Sequence, residues 1–331
     1  MNTGILGIGK FLPPATLTND DLIARGLNTS DEWIMERVGI KERRVVDEET
    51  ATSDLAYEAA VSALQSARVQ PQDIDVIIVA TSTPDYPLFP STACLLQHRL
   101  GIKSCPAFDI SAACTGFNYA VETASNFIKA GSARYALVIA ADCLSKYVDW
   151  ENRSVCVLFG DGAGAAVLGL VKPGFGILYS RLYSNGEHAP ILMVKGGGSR
   201  HKISMEILEK KEHTIFMNGR SVFKIAVSNS VEAVKTALTD SKLEASDIKL
   251  FLFHQANQRI IKLTEETLGL KSEQCFTNIY KYGNTSAASI PVALRECEEE
   301  RRISEGDILL LAGFGAGFTW GVTILRWGGR E

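Results

Sequence analysis

Short apolar runs alternate along this chain with longer segments whose apolar residues recur every three or four positions. The runs predict strands, and two of them, Asp75 to Ser82 and Tyr135 to Ala141, are expected to be buried on both faces, since a half-exposed strand alternates apolar with polar residues. These strands are expected at Asp75 to Ser82, Ala107 to Ile110, Tyr135 to Ala141, Ile248 to Phe253, Asp307 to Ala312 and Gly321 to Trp327. The longer segments predict helices at Thr52 to Ala67, Ala93 to Leu100, Phe117 to Ile128, Asn218 to Leu238, Arg259 to Leu268 and Ile290 to Arg301. Alternating strands and helices indicate an α/β fold.

The pattern repeats at about half the chain length. The layout around Asp73-Ile74 recurs at Asp247-Ile248, an offset of 174 residues (247 − 73). A repeat of this size indicates two similar α/β halves, and we place them at 1–172 and 173–331. Because ligands collect beyond the carboxyl ends of strands in such folds, residues just after the buried strands become candidates for a site.

Cys114 is the first of these candidates. It follows the strand ending at Ile110 and precedes the helix that starts near Phe117. The amino end of a helix carries unpaired N–H groups and a partial positive charge, which favour a thiolate and hence a nucleophile. Taken alone, a buried structural cysteine is the more common alternative.

His254 and Asn284 are the second and third candidates. His254 directly follows a buried strand, and Asn284 lies in a Gly-Asn-Thr-Ser turn before a helix. The glycine-rich stretch from Gly313 to Phe318, predicted as a loop, can bring backbone N–H groups near a reacting atom. Cysteine, histidine, asparagine and N–H donors together suit acyl transfer. A papain-like protease uses similar residues, but its cysteine lies near the mature amino terminus.

Composition narrows the class of protein. The 331 residues include 46% hydrophobic and 22% charged residues with a net charge of −4, so no nucleic-acid surface is indicated. Seven widely spaced cysteines favour neither a disulfide framework nor a metal site, and suggest a reducing, cytoplasmic location. No apolar run is long enough for a membrane helix, and the first ten residues do not resemble a signal peptide.

Two further segments have open interpretations. Arg37 lies near Trp33 in a basic stretch that is either a solvated face or an anion site with a ring for stacking. Residues 185–214 are polar and predict a surface loop or insertion.

Four stretches together resemble the β-ketoacyl-acyl-carrier-protein synthase III family. They are Ala112-Ala113-Cys114-Thr115-Gly116-Phe117, His254-Gln255-Ala256-Asn257, Gly283-Asn284-Thr285-Ser286-Ala287-Ala288-Ser289 and Gly313 through Gly321. The resemblance runs from Gly7 to Trp327 and implies the thiolase fold, a five-layered α-β-α-β-α sandwich in a homodimer.

The resemblance also implies a two-stage reaction. Cys114 takes an acyl group from acyl-coenzyme A, and malonyl-acyl-carrier protein is then decarboxylated and condensed with it. His254 and Asn284 hydrogen-bond the thioester oxygen, while backbone N–H groups of Cys114 and Ala316 form the oxyanion hole. Coenzyme A is a substrate, and no cofactor, metal, nucleic acid or membrane is implied.

Other family positions map onto this sequence as expectations. Those for coenzyme A fall on Trp33, Arg37, Arg153, Gly219 and Asn257. Phe89 matches a residue that reaches across the dimer to line the acyl tunnel. The acidic carrier protein would meet Lys224, Arg259 and Lys262, although Glu265 and Glu266 share a helix with the last two.

Relatives with the same fold leave two alternatives. A specialised ketosynthase or acyltransferase of secondary metabolism would load an unusual starter unit on the same residues. A non-catalytic paralogue would only partner an active subunit, which the intact Cys114, His254 and Asn284 disfavour. The glycine-rich loop near the C-terminus lacks the second catalytic cysteine of thiolases, and Asn284 stands where elongating synthases have a second histidine. The region before Cys114 offers no obvious glutamate base of the kind that hydroxymethylglutaryl-coenzyme A synthases need.

Overall fold

A computed structural model describes residues 2–330 of the chain. Its strands are β1 (Asn2–Phe11), β2 (Thr16–Thr18), β3 (Glu42–Arg44), β4 (Val76–Ala80), β5 (Ala107–Ile110), β6 (Ala136–Asp142), β7 (Gly162–Val171), β8 (Gly176–Ser184), β9 (Leu192–Val194), β10 (Ile215–Met217), β11 (Leu250–Phe253), β12 (Ile308–Gly315) and β13 (Thr319–Arg326). Its helices are α1 (Asn19–Ala24), α2 (Asp31–Val38), α3 (Thr52–Ala67), α4 (Thr92–Arg99), α5 (Gly116–Lys129), α6 (Arg153–Cys156), α7 (Met205–Glu209), α8 (Gly219–Ser241), α9 (Gln258–Leu268), α10 (Ile279–Tyr282) and α11 (Ser289–Glu299).

Two sheets share one topology, which confirms the repeat. The first has the order β1-β7-β6-β4-β5, with β4 parallel to β5 and β6 and the β1–β7 and β7–β6 pairs antiparallel. The second has the order β8-β13-β12-β11, and its pairings repeat those of the first four strands, while β5 has no counterpart in it among the described residues. Even the register recurs, since Val76 pairs with Ala136 and Leu250 with Leu309.

Each sheet lies between two helical layers. Helices α5 and α11 pack between the sheets, α3 covers the outer face of the first sheet, and α8 covers that of the second. The central helices are lined by small and branched apolar residues, so one continuous core joins both sheets to them. This five-layered α/β arrangement is the predicted thiolase fold. The predicted halves, 1–172 and 173–331, contain one sheet each; their outermost residues lie outside the described range, and the exact boundary stays a prediction.

Two local predictions were wrong in detail. Residues 185–214 are not a plain loop, because they contain β9 and α7, and β9 pairs antiparallel with β10. Apolar residues such as Ile207, which is buried, hold this segment against the body of the protein. The first half of the predicted glycine loop is strand, since Gly313 to Gly315 belong to β12 and pair with β13. Glycine fits there because a Cβ at Gly313 would lie 2.6 Å from the Asn118 side chain.

Among the described residues, no helix is both long enough and apolar enough to cross a membrane.

Candidate active site

Cys114 lies in a single 3-10 turn, Ala113–Thr115, between β5 and α5. The preceding Ala113 has a φ of 46°, a left-handed conformation that is uncommon for a residue with a side chain. A Cβ at Gly315 would lie 2.6 Å from the Cys114 nitrogen, so the end of β12 packs directly on this turn. The second half of the chain therefore helps to fix the sulfur that the first half supplies.

The electrostatic expectation for Cys114 was wrong. Although the residue precedes a helix, burial raises the pKa of its thiol to about 12. Burial disfavours the charged form, and here this effect outweighs the nearby Ser286 hydroxyl, which favours it. The free protein thus holds a thiol, and a proton must leave it before or during attack on a thioester.

His254 follows β11 and is almost fully buried. Its Nδ1 lies 2.6 Å from the Ser289 Oγ, and that oxygen already accepts a hydrogen bond from the Gln255 N–H. With the Ser289 hydroxyl assigned as the donor, Nδ1 accepts, and the single N–H proton of the neutral ring is therefore assigned to Nε2. Burial lowers the pKa of His254 to about 3, so the ring is neutral and can still donate from Nε2.

Asn284 is oriented by its own backbone and by the next turn. Its N–H donates to the Leu158 carbonyl at 2.8 Å, and its carbonyl accepts from Gly160 at 3.0 Å. Its Oδ1 accepts from the Ser286 N–H at 2.8 Å. Because the oxygen is occupied, the amide presents its NH₂ group to the cavity as a donor.

One cavity of about 450 Å³ brings these three side chains together. The wall also contains every residue that the resemblance assigned to coenzyme A, and those residues are Trp33, Arg37, Arg153, Gly219 and Asn257. The Arg153 guanidinium lies 4.9 Å from the centre of the Trp33 ring, and that of Arg37 lies 5.8 Å from it. The Asn257 amide donates to the Arg37 carbonyl at 3.2 Å and so ties α9 to α2.

The remaining predicted residues lie outside or at the edge of the cavity. Phe89 is 80% exposed and does not line the cavity of its own chain. Gly315 lines the cavity, and Ala316 occupies the turn that follows it without lining the cavity. Arg259 belongs to the wall, whereas Lys224 and Lys262 are exposed on α8 and α9.

Sequence reasoning missed two contributors. Arg220, next to the predicted Gly219, adds another cation to the wall. Ser289 was quoted only as part of a motif, although it sets the His254 ring. Ser289 lies at the start of α11 and faces the end of β11. This contact is visible only in the three-dimensional structure.

Comparison with known proteins agrees with this geometry. A family model for 3-oxoacyl-(acyl-carrier-protein) synthase III matches residues 108–186, and one for its C-terminal part matches residues 238–327. A β-ketoacyl-(acyl-carrier-protein) synthase III of Caldanaerobacter subterraneus subsp. tengcongensis is 49% identical, with 98% of this chain and 97% of that protein covered. The chain belongs to the β-ketoacyl-(acyl-carrier-protein) synthase III family.

Further members of the family are similarly close. A synthase III of Natranaerobius thermophilus is 49% identical over 98% of this chain and 99% of its own. The crystal structure of 3-oxoacyl-(acyl-carrier-protein) synthase III from Aquifex aeolicus superposes with a TM-score of 0.90 and 45% identity, over 98% of this chain and all of that one.

Acid is expected to destabilise the protein through His254. Above pH 6.5 the ring is neutral in both folded and unfolded chains and contributes nothing to the pH dependence. As the pH falls from 6.5 towards 3, the unfolded chain binds a proton that the folded one does not, so stability is lost. The loss approaches about 1.4 kcal/mol per pH unit. Urea unfolding at pH 7 and pH 5 should show a shallower pH dependence for His254→Asn than for the wild type; equal dependences would contradict the assignment.

Proposed function

We propose that this protein joins an acyl-coenzyme A primer to malonyl-acyl-carrier protein by decarboxylative Claisen condensation, the step that initiates fatty acid synthesis. The observation that carries the proposal is the single cavity in which Cys114, His254 and Asn284 meet below a mouth of arginine and tryptophan. Intact-mass detection of acylated Cys114, beside carbon dioxide release from malonyl-carrier protein, tests it. Acetyl-, isobutyryl- and longer acyl-coenzyme A in parallel would define the primer.

In the first stage Cys114 receives the acyl group. Its sulfur attacks the thioester carbon, and coenzyme A leaves as a thiol. Negative charge develops on the carbonyl oxygen, and the backbone N–H groups of Cys114 and Ala316 are proposed to bind it. The close packing of β12 on the Cys114 turn supports this, since it brings the two backbone segments together.

In the second stage malonyl-carrier protein loses carbon dioxide and leaves an enolate on its thioester. His254 Nε2–H and the Asn284 amide are neutral donors that face the cavity, and both suit an oxygen on which charge grows. Because both donors are neutral, their hydrogen bonds to the thioester oxygen are weak in the ground state and strengthen as negative charge develops on that oxygen. The enolate carbon then attacks the acyl-cysteine and frees the Cys114 sulfur.

The cationic mouth predicts a selective effect on one substrate. Arg37→Ala and Arg153→Ala should each raise the KM for acyl-coenzyme A more than that for malonyl-carrier protein. The physical reason is that two guanidiniums beside the Trp33 ring match a phosphorylated adenosine, by charge and by stacking. Initial rates with each substrate varied in turn would measure this, and equal increases in both KM values would contradict it. Arg181→Ala, an exposed arginine on β8 outside the cavity, is the matched control.

The proposed partner in the assembly is a second copy of this chain. Leu88 and Phe89 are 82% and 80% exposed, and β5 is an edge strand of its sheet. Exposed apolar side chains beside an open strand edge are normally covered. Covering them with a homodimer would place Phe89 against the partner's acyl tunnel. Light scattering at micromolar concentration should give twice the chain mass, and a fully active monomer would disprove the assembly.

The carrier protein is proposed to dock near the cavity mouth on Lys224, Arg259 and Lys262. The two acidic residues on the same helix, Glu265 and Glu266, differ in their surroundings. Glu265 is partly buried and turned towards Cys275, which leaves Glu266 beside Lys262 at 4.0 Å. The helix therefore presents more positive charge to a partner than its sequence suggested.

We also propose that the enzyme is cytoplasmic. It is proposed to need no cofactor, because coenzyme A enters and leaves as a substrate.

A further inference from the structure

A buried carboxyl group lies behind Cys114 with one oxygen unused. Asp142 ends β6 and is fully buried. Its Oδ1 accepts hydrogen bonds from the Ser82 N–H at 2.7 Å and from the hydroxyls of Thr81 and Thr83 at 3.2 and 3.1 Å. Its Oδ2 is equally buried and has no hydrogen-bond partner in the described structure. Buried oxygens are seldom left unpaired, so this one calls for a functional explanation.

Ser286 lies between this carboxyl group and the nucleophile. Its turn packs against both the end of β6 and the turn that holds Cys114. The Ser286 side chain is close enough to the Asp142 carboxyl group and to the Cys114 sulfur to lower the pKa of both groups, although the described structure holds no hydrogen bond between its hydroxyl and either of them. Its backbone is held at a φ of 52°, and its N–H donates to the Asn284 Oδ1 at 2.8 Å, so the turn that carries the hydroxyl group is fixed in place.

We propose that Ser286 and Asp142 form a proton relay for the acylation of Cys114. The inference rests on the proposed function. As the Cys114 sulfur bonds to the thioester carbon, its proton moves to the Ser286 oxygen, and the Ser286 proton moves to Asp142 Oδ2. The bond from the carbonyl carbon to the coenzyme A sulfur then breaks. The proton returns by the same hydroxyl to that sulfur, so coenzyme A leaves as a thiol and nothing is oxidised or reduced.

The surroundings explain why such a relay is needed. Burial raises the pKa of the Cys114 thiol, so the thiolate is scarce without an acceptor. His254 is a poor acceptor, because its Nδ1 faces Ser289 and its pKa is lowered to about 3. Burial raises the pKa of Asp142 above that of an exposed carboxyl group, which makes it a stronger base.

Other titratable groups near Asp142 do not offer the same path. They are Cys114 itself, Cys143, Tyr147 and Asp161. Asp161 is also a buried acid, but its oxygens accept from the N–H groups of Val46 and Ser145 and from the Ser145 hydroxyl. None of these hydrogen bonds involves the Cys114 sulfur. Asp161→Asn therefore serves as a matched control.

The test compares Asp142→Asn and Ser286→Ala with the wild type in the full chain. Single-turnover acylation by acetyl-coenzyme A is followed by intact mass from pH 6 to 9, beside carbon dioxide release from malonyl-carrier protein. Both variants should acylate about 10²- to 10⁴-fold more slowly, the range of general base catalysis, with carbon dioxide release close to wild type. Their acylation should rise with pH across the range, since only ionisation of the thiol itself then supplies the nucleophile. The double variant should be no slower than either single one.

Each other outcome is decisive. If the wild type is not acylated at all, the proposed function fails. If the wild type is acylated and Asp142→Asn matches or exceeds its rate, the relay alone is overturned. A faster rate would mean that Asp142 acts only as a charge that opposes the thiolate. Equal loss of acylation and decarboxylation, or the same selective loss in Asp161→Asn, would show a structural role. Thermal unfolding checks each variant, and Ser286→Ala, which removes a single oxygen, decides the question if Asp142→Asn does not fold.

Discussion

Cys114→Ala is expected to take up no acyl group from acyl-coenzyme A, while it still releases carbon dioxide from malonyl-carrier protein. The sulfur is needed only where the acyl group is covalently held, and no other cysteine lines the cavity. The donors on His254 and Asn284 belong to other elements and stay in place, so the enolate can still form. Alanine also keeps the small side chain that the tight turn beside Gly315 requires. Intact mass gives the first result, and radiolabelled carbon dioxide release gives the second.

Cys156→Ala is the matched control for that experiment. Cys156 is fully buried in α6, in the core beside the coenzyme A residues, but its sulfur does not line the cavity. This variant should acylate as the wild type does. Stoichiometric acylation of Cys114→Ala would show that another residue is the nucleophile, and complete loss of decarboxylation would show that the two stages are not separable as proposed.

The sequence was most informative where a strand ends. The repeat related the strand before His254 to the strand at Val76, and that strand pairs in parallel with the strand before Cys114. Chain order therefore sufficed to predict that these residues approach each other. Asn284 was found from its turn, because a glycine-asparagine pair before a helix has few conformations open to it.

Orientation could not be predicted in the same way. That Asn284 offers its NH₂ group follows from the Ser286 N–H, and that His254 offers Nε2 follows from Ser289. The contact of His254 with Ser289 joins residues 35 positions apart, which local patterns do not describe. The contact of Asn284 with Ser286 is local, but the cavity that its NH₂ group faces is formed by distant parts of the chain. The protonation state of Cys114 was mispredicted for a related reason. Burial depends on layers contributed by distant parts of the chain, whereas the helix end is visible in the sequence itself.

The second large effect concerns decarboxylation. His254→Ala and Asn284→Ala should each slow carbon dioxide release from malonyl-carrier protein on the order of 10²- to 10³-fold, as expected for the loss of one oxyanion-type donor. Acylation of Cys114 should largely survive, since neither donor is needed to hold the acyl group. The two assays are the same as for Cys114→Ala, so the three variants form one comparison on one set of substrates.

Asn284→Asp sharpens this last prediction, because it changes the chemistry of the side chain and hardly its size. Asn284 cannot exchange protons, so its role must be hydrogen bonding through the NH₂ group. An ionised carboxylate would accept from Ser286 as the amide oxygen does, and its second oxygen would then repel the enolate. Asn284→Asp should therefore lose nearly as much decarboxylation as Asn284→Ala, and acidification should restore part of it by protonating the carboxylate. If His254→Ala instead blocked acylation while carbon dioxide release continued at the wild-type rate, the roles of the two stages would have to be exchanged.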